Sequence, residues 1–298
     1  MVGAGFHQLI NFSFIGSADL DRLGLDDEHP ARASIQLVNP LNDTEGIMRT
    51  TLLPGLLKAA STGIARRNET ARLYEIGTVF LPGAGTLPEQ PDRLAFVMAG
   101  QRSANWIAAA DGFDLYDGTG VWSLLQDKLG LRNAELRQAS VAPFHPGRCA
   151  EIVLGGAVIG AVGEIHPSVS EAFGLSDRVV AAEFDLDELL MERSPWQYEP
   201  PSVFPPVVFD LAFAVDDEVA ASAVIAAVRE GACGLLEFVD VFDVFEGESI
   251  GEGRKSIAVR IHLRAPDRTL TDEEVSPVRK AISDRVCDAT GGELRGEA

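Results

Sequence analysis

Basic residues are scarce in this chain. Its 25 lysines and arginines face 45 aspartates and glutamates, and the formal net charge is -20. Proteins that hold nucleic acid mainly through phosphate contacts carry the opposite balance, so a general polyanion binder is excluded. Any RNA binding must rest on a local basic face, on shape, or on a partner. Cysteine is also rare. Cys149, Cys233 and Cys287 lie far apart with no CxxC spacing, which excludes a zinc or disulfide framework and predicts buried structural thiols of a cytosolic protein. No apolar run is long enough to span a membrane. The opening MVGAGFHQLINF has no basic region before its apolar residues and does not read as a signal peptide. Internal repeats and low-complexity tracts are absent.

What is present points to two domains, since 298 residues at about 150 per domain give that number. The most informative stretch is Phe242 to Val275. Two β-branched and aromatic runs flank Gly247, Gly251 and Gly253, which signals a hairpin with a long turn. In the second run Ile257, Val259, Ile261 and Leu263 point one way, and Ser256, Ala258, Arg260, His262 and Arg264 the other. Thr271 and Glu274 have capping-box spacing, Leu270 and Val275 that of a hydrophobic staple, and Val275, Val278, Ile282 and Val286 continue a helical stripe. With strands at Phe209–Val215, Leu235–Phe245 and Glu293–Leu294 and a helix at Ala220–Glu230, the order is βαββαβ, the split ferredoxin-like arrangement.

Upstream, SPWQYEPPSVFPP packs five prolines into Ser194–Pro206 and reads as a stiff linker. The expected organisation is therefore 1–193, a linker at 194–206, and 207–298. In the first part FHQLINFSFI alternates like a strand. Thr51 is placed to cap a helix whose stripe is Leu53, Leu56, Leu57, Ala60 and Ile64, with Pro54 in the first turn. Strands are expected at Leu73–Phe80, Leu94–Ala99 and Val179–Leu186, a helix at Asp117–Leu129, and a hairpin from Phe144 turning at Gly155-Gly156.

These residues carry a resemblance. Phe242, Asp243, Gly247, Ile250, Gly253, Lys255, Ser256, Ala258, Arg264, Asp267, Thr269, Leu270, Thr271, Glu274 and Val275 resemble the ferredoxin-like anticodon-binding domain of the β subunit of bacterial phenylalanyl-tRNA synthetase. NPLNDTEGIMRTTLLPGLL, LYEIGTVF, FDLYDGTG, FHPGR and GEIHP are similar to the catalytic-like module of the same subunit. The resemblance covers nearly the whole chain and makes it look like a C-terminal fragment. It implies an α+β architecture, a class II synthetase-like antiparallel sheet followed by the ferredoxin-like domain. It also implies a cytoplasmic (αβ)₂ heterotetramer with the α subunit, binding of tRNA(Phe), and ATP and Mg2+ used on α with no cofactor in this chain. Catalytic class II modules hold ATP with arginines, which answer charge developing on the phosphate. Here Leu81 stands in the first such place, and the second falls at Glu188, so no catalytic residue is expected.

The resemblance implies roles for particular residues. Phe245, Arg254, Lys255, Ser256, Arg260, His262, Arg264 and Arg268 are the expected tRNA contacts, on a sheet face that Ala212 and Ala214 leave open. Relatives usually carry arginine before the aspartate of the first strand, where this chain has Val208-Phe209-Asp210. Arg49, Leu53, Leu56, Leu57 and Ile64 are the expected subunit interface, with Arg66, Arg67 and Arg72 around the same helix. His145 and His166, each followed by proline, are read as turn chemistry rather than a paired-histidine site. Two other readings stay open: an amino-acid-binding regulatory module of ferredoxin-like fold, and a self-sufficient class II ligase.

Overall fold

The computed structural model describes every residue except 41, 103–105, 107–110, 132, 193–197, 199, 248–249 and 297–298. The chain divides into two compact units, Met1–Gln197 and Tyr198–Ala298. The division falls inside the proline-rich stretch, of which residues 194–197 and 199 lie outside the described ones.

Unit 1 contains β1 (His7–Gln8), β2 (Phe14–Ile15), α1 (Ser17–Arg22), β3 (Ile47–Met48), α2 (Leu53–Ala65), β4 (Thr70–Thr78), β5 (Asp92–Arg102), β6 (Asp111–Gly112), α3 (Leu115–Leu129), β7 (Ala134–Gln138), β8 (Phe144–Leu154), β9 (Ala157–Ile165), α4 (Pro167–Ala172), β10 (Val179–Asp185) and α5 (Leu186–Met191). The main sheet runs β1-β4-β5-β10-β9-β8-β7, with β6 paired to β5; β1 and β4 are parallel and the other neighbours antiparallel. Both faces are covered. Ala95, Val97, Ala99, Val179 and Ala181 lie under α2, while Phe96, Met98, Val180, Ala182 and Phe184 face Val121 and Trp122 of α3. Gly118 lets α3 approach, because a Cβ there would lie 2.6 Å from a Val180 methyl.

Several expectations need correction. FHQLINFSFI does not make one strand. It splits into β1 on the main sheet and β2 paired with β3, because Asn11 between them turns its backbone N–H (3.2 Å) and Nδ2 (2.6 Å) to the Glu75 carboxylate. Strand β4 starts and ends earlier than Leu73–Phe80. Helix α3 starts two residues before Asp117, since Asp114 accepts from the Tyr116 and Asp117 N–H groups and Asp117 accepts from that of Asp114. Strand β7 and the short helices α4 and α5 had no signal long enough to read. Thr51 accepts from the Leu53 N–H at 3.3 Å, but its own proton goes to Glu183.

The expected subunit stripe is also corrected. Leu56 and Leu57 are 0 % exposed and Leu53 is buried with them in the core of unit 1; Ile64 packs against the same cluster. A helix that covers the sheet spends its apolar face on its own unit. Arg49 is buried too, with Nη1 2.7 Å from Glu75 and Nε 2.9 Å from the Thr78 carbonyl.

Unit 2 contains β11 (Val207–Asp216), α6 (Ala221–Gly231), β12 (Leu236–Glu246), β13 (Arg254–Leu263), α7 (Asp272–Thr290) and β14 (Glu293–Leu294), with antiparallel order β12-β13-β11-β14. This is the βαββαβ arrangement. Ile257, Val259, Ile261 and Leu263 are buried with Val224, Val228, Ile282 and Val286 of the helices. Glu274 accepts from the Thr271 N–H at 3.0 Å and fixes the start of α7. Gly231 brings the helices together, since a Cβ there would meet the Ile282 Cα at 2.7 Å.

Of the three thiols, Cys149 is buried, Cys287 half-buried and Cys233 exposed, which corrects the expectation that all are interior. Cys233 sits at φ 48 in the turn after α6, outside the helix packing. Burial raises the Cys149 pKa from 9.0 to about 11. Iodoacetamide at mildly alkaline pH is therefore expected to label Cys233 and spare Cys149 until the chain unfolds, as peptide mass mapping would report. Leu57→Ala is expected to destabilise unit 1 by about 2–5 kcal/mol in urea unfolding, the cost of a core cavity. A stripe facing a partner would give a far smaller loss.

Candidate nucleic-acid interface

The helices of unit 2 cover one face of its sheet and leave the other open. Register sets who shares that open face. Phe238 lies opposite His262, Asp240 opposite Arg260, and Phe245 opposite Ser256, while Asp210 of β11 lies opposite Arg260 on its other side. Phe242, two residues after Asp240, follows it onto the same face, where its ring lies 5.0 Å below the Arg260 guanidinium, and a register irregularity between Val241 and Asp243 puts Phe245 on that face as well. Phe238, Phe242 and Phe245 are 55 %, 47 % and 46 % exposed. The Phe238 and His262 rings meet edge to face at 5.7 Å.

Arg260 is fixed from both sides. Its Nε and Nη2 each donate to Asp210 at 2.8 Å, a bidentate pair, and its flat face rests on Phe242. Hydrogen bonds from Arg260 hold the Asp210 carboxyl below its ordinary pKa of 3.8. The other expected cations are engaged as well. Arg264 donates to Glu237 at 2.9 Å, Arg268 pairs with Glu274 and Asp267, Lys255 Nζ reaches the Asp217 carbonyl at 2.6 Å, and Arg254 reaches the Ala214 carbonyl at 3.0 Å with Glu293 nearby. Ser256 is 4 % exposed opposite Phe245 and is no free contact, which corrects its assignment as one. The face is thus an aromatic platform with internally balanced charge. Phe238 and Phe242 were missed as site residues. Their signal was FVDVF, in which aromatic and acidic residues take the positions alternating with Val239 and Val241.

In unit 1, Leu81 pairs through its backbone with Glu89 and packs on the core, with no arginine at that place. Glu188 lies exposed on α5, beyond the end of β10 where sequence matching put it. The acid that β10 does place on the sheet face is Glu183. It accepts from the Thr51 hydroxyl, the Leu52 N–H at 3.2 Å and Arg93 Nη1 at 3.1 Å. His145 and His166 stack at 6.2 Å, and each accepts a local backbone N–H, from Gly147 and Ser168. Among the described residues no group of three or more His, Cys, Asp or Glu side chains is arranged to hold a metal ion, and no helix is long and apolar enough to cross a membrane.

The two units are a module built on a large mixed sheet covered by helices on both faces and a small antiparallel sheet backed by two helices. Residues 1–186 match the family model described as the phenylalanyl tRNA synthetase beta chain CLM domain, and residues 202–295 the ferredoxin-fold anticodon binding domain. The chain belongs to the phenylalanyl-tRNA synthetase β chain family, of which it carries the catalytic-like and anticodon-binding modules. It is 39 % identical over 329 residues to the phenylalanine–tRNA ligase beta subunit of Cutibacterium acnes, covering 99 % of this chain and 38 % of that one. To the subunit of Thermobifida fusca it is 37 % identical over 323 residues, covering 98 % and 38 %. It therefore spans less than two fifths of the length of these relatives. The solved pyrrolysyl-tRNA synthetase of Desulfitobacterium hafniense is similar over 64 % of each chain, with 19 % identity and a TM-score of 0.49.

The Asp210–Arg260 pair gives a pH test. Because the folded pKa of Asp210 is lowered, its contribution is present above 3.8 and lost as pH falls through the lowered value. In Arg260→Met the Asp210 carboxyl is expected to titrate closer to its ordinary value, read by carbon NMR of labelled aspartate.

Proposed function

We propose that this chain acts as part of a phenylalanine–tRNA ligase β subunit, with unit 2 holding the anticodon region of tRNA(Phe) and unit 1 serving as a non-catalytic module bound to the catalytic α subunit. The observation that carries the RNA reading is the open sheet face with three exposed phenylalanines. Unpaired bases of a loop stack on such rings, and Arg260 and His262 border them with hydrogen-bonding edges. Because the nearby arginines are matched to carboxylates and Lys255 is turned to a backbone carbonyl, recognition rests on stacking and shape more than on phosphate charge, as a chain of net charge -20 requires.

The absence of an arginine at Leu81 supports placing the chemistry, with its ATP and Mg2+, on the α subunit of an (αβ)₂ cytoplasmic assembly. The partner surface does not lie on the α2 leucines. Ile10 and Phe12 are 92 % and 78 % exposed, and they flank Asn11, which the buried Glu75 holds in place. An extended segment with alternate side chains turned outward and its centre anchored inward suits an apolar contact with a second subunit.

Two measurements test these assignments. Phe242→Ala is expected to weaken binding of a tRNA(Phe) anticodon stem-loop by about 1–3 kcal/mol, the worth of one base stack, in fluorescence anisotropy. The wild-type salt dependence is expected to be shallow, with a log–log slope no steeper than about -1, since few phosphates are neutralised. Unchanged affinity in Phe242→Ala rejects the platform. For the α contact, Phe12→Ser is expected to weaken association at least about tenfold in light scattering, because truncation at an interface anchor costs 2 kcal/mol or more. Undiminished association moves the interface elsewhere.

A further inference from the structure

Near the start of α2, on the sheet face that this helix covers, unit 1 has a cleft of about 240 Å³. Leu23, Leu25, Leu53, Val141 and Phe144 wall it, and Ala161 of β9 lies among its lining. Glu183, 9 % exposed, and Arg93 form its polar end. Both Glu183 oxygens are already served, one by the Thr51 hydroxyl and the other by the Leu52 N–H and Arg93 Nη1. The acid therefore asks nothing of a ligand and acts as an anchor. Arg93 is the unfinished group. Its Nη1 is spent on Glu183, whereas Nε and Nη2 have no acceptor among the described residues. His29, also in the lining, accepts the Ala31 N–H at Nδ1 (3.2 Å), which leaves Nε2 as the donor of its neutral ring. Glu151, the other acid in the lining, is bound by Nε and Nη2 of Arg137 at 3.2 and 2.7 Å. The cleft thus offers spare donors against an apolar wall.

We infer that this cleft binds a small monocarboxylate with an apolar body. The carboxylate takes the free arm of Arg93, the geometry a guanidinium offers, and the body rests on the leucine, valine and phenylalanine walls. The cavity is smaller than the usual range for drug-sized ligands, so one ring or one branched chain fills it. No bond is made or broken there; Arg93 binds, and Glu183 positions it. The inference goes beyond the RNA and subunit readings and does not rest on either.

The test uses the full chain, with phenylacetate as the probe and phenylacetamide as its uncharged isostere, in thermal unfolding. Phenylacetate is expected to raise Tm in a saturable way, as mass action on the native state requires. The amide is expected to bind at least about tenfold more weakly, the worth of one charged hydrogen bond. Arg93→Gln is expected to remove the response. So is Ala161→Leu, which fills the cleft from β9 directly opposite Glu183 and decides the matter if Arg93→Gln does not fold. Equal responses to acid and amide overturn the inference. So does the absence of any saturable response, or a response that survives both substitutions.

Discussion

Strand β5 is buried on both faces, and much of unit 1 follows from that constraint. Ala95, Val97 and Ala99 need cover on one side, and Phe96 and Met98 on the other. Two helices supply it, so the apolar stripe of α2 is consumed inside the unit. A sheet covered twice also has no room for an unpaired charge. The carboxylates that point into it each take a cation: Glu75 takes Arg49, Glu183 takes Arg93, and Glu164 takes Arg148. These pairs position neighbouring groups. Glu75 holds Asn11 and with it the exposed Ile10 and Phe12. Glu183 holds Arg93 at the end of the cleft.

Acidic composition acts differently in unit 2, whose sheet has one bare face. With carboxylates abundant, the arginines and the lysine near that face find a partner within the unit, either a carboxylate or a backbone carbonyl. What stays exposed is aromatic. The same chemical surplus that argues against phosphate-driven binding thus leaves a platform suited to bases. Arg260 shows the principle at one residue, since Asp210 neutralises its charge while Phe242 fixes its plane.

Much of the architecture was legible beforehand because it depends on local periodicity. The alternation from Ile257 to Leu263, the stripe through Val275, Ile282 and Val286, and the reach of Glu274 back to Thr271 are properties of neighbouring residues. They appear in the structure where the pattern put them. Elements of two to six residues, such as β1, β2, α4 and α5, carry too few repeats to show a period. FHQLINFSFI misled for a long-range reason, because Glu75, 64 residues away, captures Asn11 and turns the chain between two sheets.

For the sites the division is sharper. The sequence by itself determined which side chains of β13 alternate onto the bare face of unit 2, because the side-chain period of a regular strand is two. It also determined that position 81 holds no arginine. Only the tertiary structure decided which cations are already matched, which leucines are interior, and that Phe238 and Phe242 stand beside Arg260 and His262. Those outcomes depend on strand register and on pairs far apart in the chain, where one residue of slip would exchange the two faces of the sheet.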